Sequence, residues 1–154
     1  MEDFNDLGIG VDIEEIERFA KYDTKNNPFV LRIYTKDEIE YCFSSSSPAS
    51  RLAARYCAKE ACLKAVCSFG YEAVSYADFE VCHVKNGAPE VRILNELLSE
   101  KVELKISLSH SKTNAICYAI ANRKRRNIDY YLGMKDNTTT TNKIGNDIYG
   151  SAEI

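Results

Sequence analysis

From Leu7 to Ile13 the chain alternates strictly: Leu7, Ile9, Val11 and Ile13 share one parity, and Gly8, Gly10 and Asp12 the other. A period of two is that of a strand with one apolar face. Glycine weakens a strand, so two on one face point to something approaching the backbone closely. Beyond this segment Ile13, Ile16, Phe19 and Ala20 follow helical spacing, with Glu14, Glu15 and Glu17 on the remaining surface. The pattern predicts a strand that runs directly into a helix at Asp12.

Asn26, Asn27 and Pro28 mark a turn, and Phe29 to Tyr34 reads as a short helix. Thr35 and Glu38 have capping-box spacing and open a helix through about Phe43. A serine-rich loop over 44–50 leads to the longest helical candidate, about Ser50 to Cys67. Past Gly70 the period returns to two. Strands are predicted at Phe79–Val84 and Glu90–Leu94, joined by a turn at Asn86 to Pro89, with a helical turn over Asn95–Glu100. Two more follow at Leu104–His110 and Ala115–Ala121, linked by the polar loop Ser111 to Asn114. The last, AICYAIA, is apolar on both parities, as a central strand is. The fold class is α+β, with helices packed on a small, mainly antiparallel sheet. No repeat or linker divides it, so residues 1–126 are expected to form one domain. Residues 127–154 contain TTTTN, have little periodicity, and are expected to be a mobile or loosely packed extension.

The chain has 154 residues, 45% hydrophobic and 28% charged, values of a soluble globular domain. No run of about 20 apolar residues argues for a membrane span. The acidic MEDFNDLG start lacks a signal peptide's basic and apolar regions, so the expected compartment is the cytoplasm. Six cysteines form no CxxC pair. Cys57, Cys62 and Cys67 are five apart, about 140° per step on a helix, and cannot converge on one metal. All six are expected to be reduced, small, buried hydrophobes. The net charge of −3 hides a segregation: residues 1–50 carry 11 acidic and 5 basic side chains, whereas 51–70 carry 1 and 4. An acidic segment followed at once by a basic one asks for a chemical reason.

The basic segment is the long helix. Ala54, Cys57, Ala58, Ala61 and Ala65 gather on a stripe of small side chains, and Leu52, Tyr56 and Leu63 form a second apolar stripe. Arg51, Arg55 and Lys59 fall between the stripes on one side, and Glu60 and Lys64 share the other. Taken singly, each charged residue has an ordinary reading. Glu60 and Lys64 make an i,i+4 pair, Asp12 a helix N-cap with Glu15 completing a capping box, and His110 an inward-facing strand histidine. Taken together they make a chemistry. Asp12 and Glu60 could hold a hard divalent cation such as Mg²⁺, which takes few protein oxygens and completes its shell with phosphate and water. Arg55, Lys59, Lys64 and His110 would supply positive charge for a polyphosphate. No GxxxxGK[ST] is present, which argues against a P-loop enzyme.

GIGVDIEEIERF, RYCAKEACLKA and SLSHS, in that order, resemble the signatures of the holo-acyl-carrier-protein synthases, the short 4′-phosphopantetheinyl transferases. The resemblance spans about residues 7–122. It implies an α+β fold assembled as a homotrimer with active sites between protomers, and coenzyme A as co-substrate. Asp12 and Glu60 match the family's Mg²⁺ ligands, and Lys64 the lysine implicated in phosphate contact and catalysis. Arg55, Ser109 and His110 match positions near coenzyme A, and Arg18 a basic position used against the acidic acyl carrier protein. Either Glu60 through a water or His110 could serve as general base. The chain departs from the pattern at Tyr56, where Phe or Trp is common, and at Cys67 to Tyr71, where one glycine replaces a glycine-rich stretch. Residues after Asn122 exceed the usual length.

Other readings are weaker. A catalytically silent relative that only binds carrier protein or coenzyme A would have had little reason to keep Asp12, Glu60 and Lys64. A Ser/His hydrolase on SLSHS fails geometrically, because Ser109 and His110 are adjacent on a strand and face opposite ways, and no GxSxG elbow exists. RKRR as a nucleic-acid patch is unsupported in an acidic chain.

Overall fold

A computed structural model describes residues 4–71, 73–84 and 87–124. All fall within one compact unit, Met1–Lys124. The expectations for residues 127–154 and for Asn86 lie outside the described residues.

Strand β1 (Leu7–Glu15) leads through a 3₁₀ turn (Ile16–Phe19) to helices α1 (Pro28–Ile33), α2 (Lys36–Phe43) and α3 (Pro48–Cys67). A 3₁₀ turn (Tyr76–Asp78), the hairpin β2 (Phe79–His83) and β3 (Pro89–Ile93), the single turn α4 (Glu96–Ser99), and strands β4 (Val102–His110) and β5 (Asn114–Arg123) follow. Local chemistry sets the boundaries. The Asn27 side chain accepts from Phe29 N at 2.9 Å to open α1. The Thr35/Glu38 capping box is formed at α2, and Pro48 takes the first turn of α3.

One expectation at the start of the chain is overturned. The strand does not end at Asp12. It continues to Glu15, with Ile13 paired to Ile116 and Glu14 to Ala115, and only one 3₁₀ turn follows. Asp12 is therefore a mid-strand residue and caps no helix. The antiparallel ladder with β5 satisfies the backbone that a helix would otherwise have to satisfy.

The sheet order is β1-β5-β4, antiparallel throughout, with β2 and β3 forming a separate antiparallel pair. The doubly apolar strand β5 is central, as its pattern predicts. Residues directly paired share a face, so Gly8, Gly10, Asp12 and Glu14 lie with Ala115, Cys117, Ala119 and Ala121 against α3. A Cβ on Gly10 would collide with the Ala61 carbonyl oxygen, and one on Gly8 with that of Ala65. The glycine face is where α3 approaches, through the alanine stripe that includes the fully buried Ala58, Ala61 and Ala65. The apolar parity of β1 consequently points away from the helix, leaving Ile9 71% and Ile13 62% exposed beside Tyr118 and Ile120 of β5.

The opposite side of α3 corrects a second expectation. Lys59 is fully buried and unavailable to a polyphosphate. Its Nζ donates to the carbonyls of Ile33 (2.9 Å), Tyr76 (3.1 Å) and Phe79 (2.6 Å), and pairs with Glu38 Oε2 at 2.8 Å. Glu38 also accepts from the backbone of Thr35 and Val81. Burial lowers the Lys59 pKa and the adjacent Glu38 carboxylate opposes that shift. Among the cysteines, Cys42, Cys57, Cys62 and Cys117 are buried as expected; Cys67 is exposed and Cys82 half-buried, because both stand where α3 and β2 leave the core. All six are free thiols, and burial pushes the Cys117 pKa up to about 12.

Two substitutions test this packing. Gly10→Ala forces α3 off the sheet and should cost about 2 kcal/mol or more of unfolding free energy, read from urea denaturation. Lys59→Met leaves Glu38 charged and buried without its cation, and a loss of about 3–5 kcal/mol is expected in the same measurement.

Candidate active site

The close approach of β1 to α3 brings Asp12 beside the middle of that helix, where Cys57 Sγ donates to its carbonyl at 3.1 Å. Lys64 Nζ donates to Asp12 Oδ1 at 2.9 Å and to the Val11 carbonyl at 3.0 Å. This replaces the i,i+4 pair with Glu60 that spacing alone allows. The hydrogen bond to Asp12 is the main cause of a raised Lys64 pKa, so the ammonium stays charged. The other Asp12 oxygen, Oδ2, is buried and has no hydrogen-bond partner. An unpaired buried carboxylate oxygen costs about 1–3 kcal/mol or more, which a cation or donor arriving from outside would recover.

Glu60 stands one turn before Lys64 on α3. Its Oε1 accepts a hydrogen bond from Tyr56 Oη at 3.1 Å and a second, shorter one from Tyr76 Oη. The two phenol oxygens are 3.2 Å apart. Burial, followed by these hydrogen bonds, raises the Tyr76 pKa strongly, so it stays a donor. Spacing could have found Tyr56, four residues before Glu60 on one helix face. Nothing in the sequence marks Tyr76, which arrives from a 3₁₀ turn (Tyr76–Asp78) after α3.

Glu14 lies on the same face of β1 as Asp12, is 7% exposed, and is ion-paired with Arg18. Burial raises its pKa, Arg18 opposes the rise, and the negative charges of Asp12 and Glu60 add to it. Three carboxylates thus share one electrostatic neighbourhood. Among the described residues no three His, Cys, Asp or Glu side chains gather closely enough to enclose a metal by themselves. The donor set that remains, Asp12 Oδ2 with the Glu60 carboxylate, is two hard oxygens. That suits Mg²⁺, which binds through one or two carboxylates plus substrate phosphates and waters.

The other predicted residues are not gathered here. Arg55 is five residues from Glu60, about 140° around α3. It is 4% exposed with Nε buried and unpartnered, and its guanidinium carbon lies 3.9 Å from the centroid of the Tyr41 ring. Arg51 is 4.2 Å from the same ring. Burial, and then the charges of Arg55 and Arg51, lower the pKa of the adjoining His83. His110 closes β4 opposite Ala115, which also pairs with Glu14, so it is two strands and about 10 Å from β1. It is exposed, contrary to the reading of an inward strand histidine, at the end of β4, the outer strand of its sheet. Ser109 is exposed on the opposite face, which removes the hydrolase reading. Arg18 is exposed at the chain's first turn after β1, held by Glu14.

Residues 8–121 match the family model of the 4′-phosphopantetheinyl transferase superfamily. Holo-[acyl-carrier-protein] synthase of Thermoanaerobacter sp. (strain X514) is 37% identical over 121 residues, 75% of this chain and 87% of that protein. The Chlamydia trachomatis serovar D synthase is 38% identical over 118 residues, covering 75% and 98%. Among solved structures, the Bacillus anthracis synthase in complex with CoA (3′,5′-ADP) superposes with a TM-score of 0.62 at 30% identity, over 76% of this chain and 96% of that one. The Helicobacter pylori synthase in complex with coenzyme A gives 0.61 at 27%, over 75% and 99%. The α+β core, its ordered motifs and these similarities lead to one assignment: the chain belongs to the 4′-phosphopantetheinyl transferase superfamily, as an enzyme of the holo-[acyl-carrier-protein] synthase type.

Proposed function

We propose that the chain transfers the 4′-phosphopantetheine group of coenzyme A to a serine of an apo acyl carrier protein, in a Mg²⁺-dependent reaction that releases adenosine 3′,5′-bisphosphate. The catalytic unit is the domain spanning residues 1–126. The observation that carries the reading is the buried, unpartnered Asp12 Oδ2, on a carboxylate whose other oxygen already holds Lys64, an ammonium that also feels the charge of Glu60.

Asp12 and Glu60 would hold Mg²⁺, which when bound supplies positive charge against the diphosphate of coenzyme A. Lys64, with its side chain 51% exposed, presents a second charge where phosphate oxygens would lie. Fixing donor and acceptor in line and neutralising charge accounts for most of the catalysis of phosphoryl transfer. The serine proton has two acceptors within the proposal, Glu60 through an intervening water, and His110. Arg18, exposed on the first turn, offers a cation to the acidic carrier protein.

Arg55 and His110, the proposed partners of coenzyme A together with Ser109, are separated from the carboxylates within one chain. A homotrimer with sites between protomers would let one copy contribute them to its neighbour's Asp12 and Glu60. The exposed apolar face of Leu7, Ile9, Val11, Ile13, Tyr118 and Ile120 supports assembly, since a monomer gains nothing from keeping such a patch in water. Among the described residues no helix is long and apolar enough to cross a membrane.

Intact-mass analysis of an apo carrier protein incubated with the chain, coenzyme A and Mg²⁺ should reveal a gain of one phosphopantetheine. No gain with several carriers, including one in which coenzyme A binds without transfer, overturns the reaction. Glu60→Gln should lower turnover about 100-fold or more, and full activity in that variant overturns the metal assignment. Light scattering should give the mass of three chains for the wild type and a smaller mass for Ile9→Lys; a monodisperse wild-type monomer refutes the trimer.

A further inference from the structure

Glu60 is held in an unusual way for a side chain on the surface of a helix. Both of its hydrogen bonds fall on the same oxygen, Oε1, and both come from phenols. The two rings stack on each other, with centroids 5.4 Å apart and planes at 26°. Both tyrosines are anchored from outside the pair. Tyr56 is packed against Phe19 at 5.4 Å and Phe29 at 5.9 Å, within an aromatic cluster that includes the stacked pair Tyr22 and Phe29. The Tyr76 backbone is tied to α3 by the buried Lys59, whose Nζ donates to its carbonyl at 3.1 Å while being anchored to Ile33, Phe79 and Glu38. The turn bearing Tyr76 is itself closed by Asp78, which accepts from Ser75 N at 2.6 Å.

We propose that Tyr56 and Tyr76 are positioning residues, a phenol clamp that grips Glu60 by Oε1 and aims its second oxygen at the divalent cation held with Asp12. The inference rests on the reading of Glu60 as a cation ligand and adds what orients it. An exposed glutamate samples several rotamers and must surrender that freedom when it ligates. Here the freedom is surrendered on folding, to groups that do not compete for the metal-facing oxygen. Carboxylate ligands elsewhere are oriented by hydrogen bonds from outside the coordination shell, and removing such a bond typically weakens metal binding 10- to 100-fold. The buried Asp12 Oδ2, without a hydrogen-bond partner, is an independent observation in favour of a cation at this corner.

The test uses the full chain and Mn²⁺ as a spectroscopic substitute for Mg²⁺, titrated by electron paramagnetic resonance with and without coenzyme A. The double variant Tyr56→Phe with Tyr76→Phe removes only the two hydroxyls. It should bind Mn²⁺ about 10-fold more weakly while retaining the wild-type circular dichroism spectrum. Turnover should fall by more than the change in KM for coenzyme A. A folded double variant that binds Mn²⁺ within about twofold of wild type overturns the clamp. Glu60→Gln separates the two levels of the argument. If it binds Mn²⁺ as the wild type does, Glu60 is no ligand and the reading beneath the clamp fails; if it loses binding and the double variant does not, the clamp alone fails. Should the double variant not fold, Tyr76→Phe decides, with a loss of at least about threefold expected and none overturning the proposal.

Discussion

The contact on which the molecule depends is the backbone-to-backbone approach of β1 and α3. Gly8 and Gly10 face the carbonyls of Ala65 and Ala61 with no room for a methyl group between them. Close packing of this kind trades side-chain area for proximity, and proximity is what a site built from one strand and one helix requires. Two residues beyond Gly10 on the same face the space is filled by Asp12, within 2.9 Å of Lys64. With larger residues at positions 8 and 10 the helix would sit farther off, and the carboxylate and the ammonium would each be solvated separately. The exposed apolar parity of β1 follows from the same choice, because the sheet cannot turn both its glycines and its Ile and Val side chains toward α3.

A second anchor lies on the far side of the helix. Lys59, adjacent in sequence to Glu60, points the other way and gathers carbonyls from α1, from the turn at Tyr76 and from β2, with Glu38 of α2 neutralising it. A buried ammonium is tolerable only when its donors and its charge are all met, and here they are. The consequence reaches the site, since fixing the backbone of Tyr76 fixes a donor to Glu60. Lys59 and Glu60, successive residues of one helix, thus face the core and the candidate site, which is why α3 carries so little of the one-sided amphipathic pattern of an ordinary surface helix.

How far these features could be read in advance depended on the range of the interaction. Capping at Asn27 and Thr35, the helix from Pro48, and the position of β5 at the centre of its sheet are decided by neighbours in sequence or by the pattern of a single segment. The length of β1 is not legible locally, because helical spacing from Ile13 competes with pairing to Ile116 and Ala115, residues about a hundred positions away. The core position of Lys59 is hidden from the sequence for a similar reason. A helical projection gives the direction of a side chain and says nothing about what covers it. Of the site, Asp12, Glu60 and Lys64 were legible from their motifs; Tyr76 was invisible, since its only connection to Glu60 is through space.

By itself the sequence determined the α+β class, the order of nearly all its elements, the family, and the candidate site residues Asp12, Glu60 and Lys64. Those are properties of local pattern and of short motifs, in which each residue's meaning is carried by neighbours a few positions away. Only the tertiary structure decided which cation serves the core and which the site, which oxygen of Asp12 lacks a partner, and which side chains hold Glu60. Those outcomes depend on burial and on hydrogen bonds between segments far apart in the chain, and no periodicity encodes a contact that exists only after folding.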